Sequence, residues 1–147
     1  MQTALRYLGY RARSEAELRR YLKQRGYLPA AIDAALSRLR SWNYLDDEAF
    51  ARAWALARAQ NRGHGPRRID QELRSKGVGQ ALARAAVREA FAEVDESAEA
   101  KRLLARRFAA PALKDPRNRA KAAAFLQRRG YSSKVIFDLL GYSTEED

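Results

Sequence analysis

The feature that most limits how this chain can fold is a unit that recurs three times. Anchored on Gly26, Gly77 and Gly130, the copies are spaced 51 and then 53 residues apart. Leu22, Leu73 and Leu126 stand four residues before these glycines, and Leu18, Ile69 and Ala122 stand eight before. Arg25, Lys76 and Arg129 come immediately before them, and Tyr27, Val78 and Tyr131 immediately after. Leu36, Val87 and Leu140 follow ten residues on, and no gap is needed within this frame. A period of this size marks an array of small supersecondary units, each leaning on its neighbours.

The columns have a local physical meaning. Apolar residues four apart share one face of a helix. A glycine just past that helix supplies the left-handed residue that ends it, and the residue after it folds back on the last turn. The cation before it faces the negative end of the helix dipole. Starts are marked as well. Ser14 with Glu17 forms a capping box. Gly65-Pro66 and Asp115-Pro116 put proline at a first helical position, the latter three residues farther from its glycine, which predicts a longer middle helix in the third copy.

Flanking helices complete each unit. Ala4, Leu5 and Leu8 precede the first middle helix. Phe50, Trp54 and Ala57 precede the second, opened by Asp46, Asp47 and Glu48. Ala100, Leu103, Leu104 and Phe108 precede the third. Ile32, Leu36 and Leu39, then Leu82, Ala86, Val87 and Phe91, then Val135, Ile136, Leu139 and Leu140 line the helices that follow the glycines, the last capped by Ser132 or Ser133. The prediction is an all-α chain of nine helices. They form three tandem three-helix, helix-turn-helix-like repeats over residues 1–45, 46–96 and 97–147, in an elongated, curved array. Each unit alone has a marginal core, so stacking is expected to bury further apolar surface, with Trp42, Tyr44 and Leu45 packed between the first two units.

Composition removes several classes of function. Glycine and proline total only 12 of 147 residues, too few for a turn-rich β chain, and there is no cysteine for a disulfide or thiolate site. No apolar run reaches the roughly 18 residues of a membrane span. His64 is the only histidine and has no second ligand near it in sequence. Gly63-His64-Gly65 lacks the lysine and hydroxyl of a phosphate-binding loop. Asp46-Asp47-Glu48 reads as a helix start rather than a metal cluster. No catalytic residue, metal or cofactor is expected, and the chain is read as a non-enzyme, cytoplasmic and monomeric.

At this point the motifs resemble a known family. Trp42-Asn43-Tyr44-Leu45-Asp46-Asp47 followed by Phe50-Ala51 is similar to the G-Y-L-D-D signature of RecX proteins. Residues 65–78, from Gly65-Pro66-Arg67-Arg68-Ile69 through Leu73 to Lys76-Gly77-Val78, resemble that family's G-P-x-R-I-x-x-E-L-x-x-K-G-[IV] block. Ser14-Glu15-Ala16-Glu17-Leu18 and Arg129-Gly130-Tyr131 match its early and late elements, so the resemblance runs from about Leu5 to Tyr142. Asn43 replaces the usual glycine, a tolerable change because Asn enters the left-handed region more readily than most residues. The chain also starts close to the first repeat, without the longer leader many members carry. The resemblance implies a negative modulator of RecA in DNA repair, recombination and the SOS response. Such a protein binds RecA and its filament on single-stranded DNA. It limits ATP hydrolysis, strand exchange and stimulated repressor cleavage.

The charge of +11 asks for an anionic partner. It is unevenly spread: residues 1–45 carry 9 basic and 3 acidic side chains, residues 46–97 carry 9 and 9, and residues 98–147 carry 11 and 6. Arg19, Arg20 and Lys23 form a basic face on the first middle helix that the other copies lack. Arg67, Arg68 and Arg74 lie in the motif block, Arg102, Arg106 and Arg107 form a third cluster, and Arg117, Arg119 and Lys121 a fourth. These are the candidate contacts with RecA or DNA, together with weak non-specific DNA binding and no membrane contact. A stand-alone helix-turn-helix DNA-binding protein is the alternative, although the third helix of the first unit offers mostly alanines where base readout wants Arg, Asn or Gln.

Overall fold

The computed structural model describes residues 1–141. Residues 142–147, the end of the third predicted unit with Tyr142 at the far end of the resemblance, lie outside the described residues. Among the described residues there are nine α-helices and no strand. They are α1 (Gln2–Tyr10), α2 (Glu15–Gln24), α3 (Pro29–Ser41), α4 (Asp47–Asn61), α5 (Pro66–Ser75), α6 (Gln80–Glu93), α7 (Glu96–Arg107), α8 (Pro116–Arg129) and α9 (Ser133–Leu140). A 3₁₀ turn, Ala110–Lys114, leads into α8.

The caps explain the boundaries. Ser14 accepts from the Glu17 N–H while Glu17 accepts from the Ser14 N–H, closing the capping box at the start of α2. Asp46, Asp95, Asp115 and Ser132 cap α4, α7, α8 and α9 with their side chains. Pro66 and Pro116 occupy first helical positions, and α8 has 14 residues against 10 in α2 and α5. Gly26, Gly77 and Gly130 end the middle helices at φ of +87°, +81° and +90°, and Asn43 takes φ of +61° in the turn before α4.

The helices fall into three groups of three, and substantial helix–helix packing stays inside each group. Leu18, Leu22, Ile32, Leu36, Leu39 and Leu45 fill the first core. Phe50, Ala55, Ile69, Leu73, Val78 and Ala86 are central to the second. Leu104, Phe125, Leu126, Tyr131, Ile136 and Leu140 are central to the third. This differs from the expectation of shared apolar packing between units. Leu45 is buried, but in the first core, while Trp42 and Tyr44 are 52% and 58% exposed. The turn at Asn43 points these two aromatics outward, and Leu5 is also more than one-third exposed. The molecule exposes 9451 Å², against the roughly 7,600 Å² of a compact chain of its size. It is an elongated array.

Backbone and side-chain hydrogen bonds join the units, beside small apolar contacts of Ala16 near Gly77 and Leu103 near Gly63. The Ser14 hydroxyl, at the start of α2, donates to the Lys76 carbonyl at the end of α5. The Glu15 N–H donates to Asp47 Oδ1 at 2.8 Å, and Lys76 Nζ reaches Glu17 at 3.5 Å. The second joint repeats the plan. The Gly65 N–H, at the start of α5, donates to the Arg129 carbonyl at 2.7 Å, and the Arg67 N–H to the Gly130 carbonyl at 2.9 Å, both at the end of α8. The negative end of one middle helix therefore meets the positive end of the middle helix before it in the chain, twice. A β-carbon at Gly65 would lie 2.4 Å from the Gly130 carbonyl carbon, and one at Gly77 would lie 2.1 Å from Ala16 Cβ. Gly77 and Gly130 therefore end helices and also let the units close on one another, as Gly65 does at the start of α5.

Candidate functional site

The predicted basic residues lie on different surfaces. Arg19, Arg20 and Lys23 are exposed on α2 and line a cleft of about 470 Å³ with Glu15, Ala16, Asp47 and Gly77. This cleft straddles the first joint. Arg19 is held by Asp33 at 2.7 Å, whereas Arg20 and Lys23 have no ion-pair partner among the described residues. Burial pushes the Asp47 carboxyl above the usual carboxylate range, although the hydrogen bond from the Glu15 N–H opposes this.

The three arginines of the motif block are divided. Arg67 and Arg74 line a cleft of about 370 Å³ with Pro66, Asp70, Arg84, Val87 and Arg88. Arg74 Nε lies 3.2 Å from Asp70. Arg68 instead belongs to the second joint. Its backbone N and Cβ lie within 2.3 Å of where a β-carbon on Gly130 would be, and its guanidinium approaches Glu72 at 3.8 Å. Arg84 and Arg88 were not among the expected contacts. A tally of nine positive and nine negative residues makes the middle unit look neutral, but the fold gathers four arginines and one aspartate on one face. The signal was available in sequence: Arg84 and Arg88 are one turn apart on a helix.

In the third unit Arg102 pairs with Glu99 at 2.8 Å, Arg107 lies over the Phe125 ring at 4.8 Å, and Arg106 is exposed. Arg117 is exposed near the start of α8 and Arg119 is half-buried. None of these cations lines either of the two basic clefts of the first two units.

His64 is 7% exposed. Its Nδ1 lies 2.7 Å from Glu72 Oε1, within a group that includes Arg58 and Arg68. Burial holds the imidazole below its ordinary pKa, and the Glu72 carboxylate only partly offsets this. Beside it the buried Tyr131 hydroxyl donates to the Gly63 carbonyl at 3.0 Å, and burial pushes its pKa up to about 12. His64 thus sits in the lining of the second joint. Among the described residues no group of three or more His, Asp or Glu side chains is placed to hold a metal ion. No helix among them is long and apolar enough to cross a membrane.

Comparison with known proteins agrees with this architecture. Residues 1–39, 46–87 and 94–140 match, in order, the first, second and third three-helix domains of RecX. Regulatory protein RecX of Syntrophotalea carbinolica is 37% identical over 147 residues, covering 98% of this chain and 94% of that protein. The protein of the same name from Halorhodospira halophila is 35% identical over 144 residues, covering 98% and 88%. The crystal structure of RecX from Lactobacillus salivarius superposes with a TM-score of 0.81 at 19% identity, covering 95% of this chain and 91% of that one, which speaks to the fold. A second crystal structure, of regulatory protein RecX, gives 0.80 at 28% identity and covers 95% and 70%. With all three units matched in order and relatives 35–37% identical along nearly their whole length, the chain belongs to the RecX family of regulatory proteins.

Proposed function

We propose that this protein is a negative modulator of RecA that binds RecA and its filament on single-stranded DNA. In doing so it limits ATP hydrolysis, strand exchange and the stimulated cleavage of repressor. The observation that carries the reading is the match of all three consecutive units to RecX domains across nearly the whole chain. The route is binding rather than chemistry: a ligand with higher affinity for a shortened or altered filament shifts the filament equilibrium by that difference. In this reading the protein is a cytoplasmic, monomeric non-enzyme whose units, 1–45, 46–96 and 97–147, act together. An elongated array with hydrogen-bonded joints suits a long helical partner better than a compact body does. The exposed basic face of Arg19, Arg20 and Lys23 is taken as a partner contact. The helix-turn-helix alternative gains little, because Arg40 on α3 is held by Glu15 and Asp33 by Arg19.

The test is RecA's DNA-dependent ATPase with substoichiometric amounts of this protein. Inhibition is expected, weakened when Arg19, Arg20 and Lys23 are replaced together by Ala while helicity by circular dichroism stays the same. Absence of inhibition combined with tight sequence-specific duplex binding would sink the proposal.

A further inference from the structure

We infer that the cleft framed by Arg67, Arg74, Arg84 and Arg88 is a phosphate-binding track for a single strand of nucleic acid. The track continues across the first joint to Arg20 and Lys23. It supplies the filament reading above with its polyanion contact and rests on that reading for its setting.

The cleft has two cationic walls. Arg67 and Arg74 stand seven residues apart on α5, two turns along one face. Arg84 and Arg88 stand four apart on α6, one turn along one face. Pro66 and Val87 form an apolar floor between them. Only Arg74 is committed, to Asp70; Arg67, Arg84 and Arg88 are exposed and have no ion-pair partner among the described residues. Three exposed unpaired guanidiniums side by side repel one another, and an anion relieves this by bonding with several at once.

The geometry favours a linear polyanion over a compact acidic loop. Gly77, three residues beyond Arg74, already lines the next cleft, the one holding Arg20 and Lys23. Lys23 and Arg74 occupy the same position relative to their glycines, as do Arg19 and Asp70. Arg19 and Lys23 on α2 and the equivalent Asp70 and Arg74 on α5 line two clefts that approach each other at the joint. The first carries Glu15 and Asp47 beside its three cations, and together the two clefts form an extended path. A chain with regularly spaced charges can follow such a path, and guanidiniums on both walls contact phosphates without reading bases.

The test uses the full chain and a short fluorescein-labelled oligothymidylate, without RecA, followed by anisotropy from about 50 to 200 mM salt. The variant is Arg84→Gln with Arg88→Gln, two exposed positions outside all three cores. Affinity at the low-salt end should fall by about tenfold to a hundredfold, and the log–log salt slope by about 1.4, which is two single-strand phosphate contacts. Unchanged affinity and slope would overturn the proposal. So would polyglutamate competing as well as unlabelled oligothymidylate at equal charge, since the cleft would then be a dock for acidic protein. RecA ATPase measured on the same two proteins keeps the two readings apart. A wild-type protein that leaves RecA untouched while its oligonucleotide binding depends on Arg84 and Arg88 keeps the track and removes the filament reading. The reverse pattern removes only the track.

Discussion

Gly26 and Gly130 share one backbone conformation, at φ of +87° and +90°, but not one environment. A β-carbon on Gly26 meets nothing within 4 Å, whereas one on Gly130 would meet the Arg68 backbone N at 2.3 Å. Alanine at either position forces a left-handed conformation on a residue with a side chain, costing about 1–2 kcal/mol. At Gly130 the overlap adds to that cost, and the second joint must open. Gly26→Ala should therefore lose about 1–2 kcal/mol in urea unfolding and Gly130→Ala roughly 2–5 kcal/mol. Equal losses would show that the joint contributes nothing. The helix-ending role of both glycines was legible from the columns around them. The difference between them was not, because Gly130 meets Arg68 from 62 positions away and no local pattern encodes that meeting.

At the level of elements, the start of α2 carries two duties. Ser14 caps its own helix and donates to the end of α5. Glu17 completes the capping box. Burial raises its carboxyl pKa, but bonds from Arg11 and the Ser14 N–H, with the charges of Arg11 and Lys76, outweigh that and hold it below its usual value. Ser14→Ala should destabilise the protein by about 1–2 kcal/mol through the lost cap alone. It should also loosen the first joint. Lys76 lies 4.8 Å from the Trp54 ring centroid, so in a Trp42→Phe background the Trp54 emission should shift as Lys76 is released. A loss of stability with no change in Trp54 emission would confine Ser14 to capping. Helix starts and ends were readable because capping residues act within one turn. Arg84 and Arg88 were missed because residue counts per segment cancel charges that the fold places on separate faces. Trp42 and Tyr44 were expected inside because large aromatics usually bury, but each unit completes its core without them.

Across the whole molecule, three separate cores held by narrow, hydrogen-bonded joints predict an extended particle. A compact chain of 147 residues has a radius of gyration near 15 Å. Small-angle X-ray scattering should give a clearly larger value, and one at about 15 Å would show the units folded against each other. Among the described residues α5 is the one middle helix engaged by a neighbouring unit at both ends, by Ser14 at one and by Arg129 and Gly130 at the other. The extra turn of α8 falls at its outer start, where it disturbs no joint. One residue inserted into α5 would swing the third unit about 100° around the helix axis relative to the first and shift it 1.5 Å. The number of residues in this one short helix is thus the gauge of the array's twist. Any partner that grips both outer units at once measures that number.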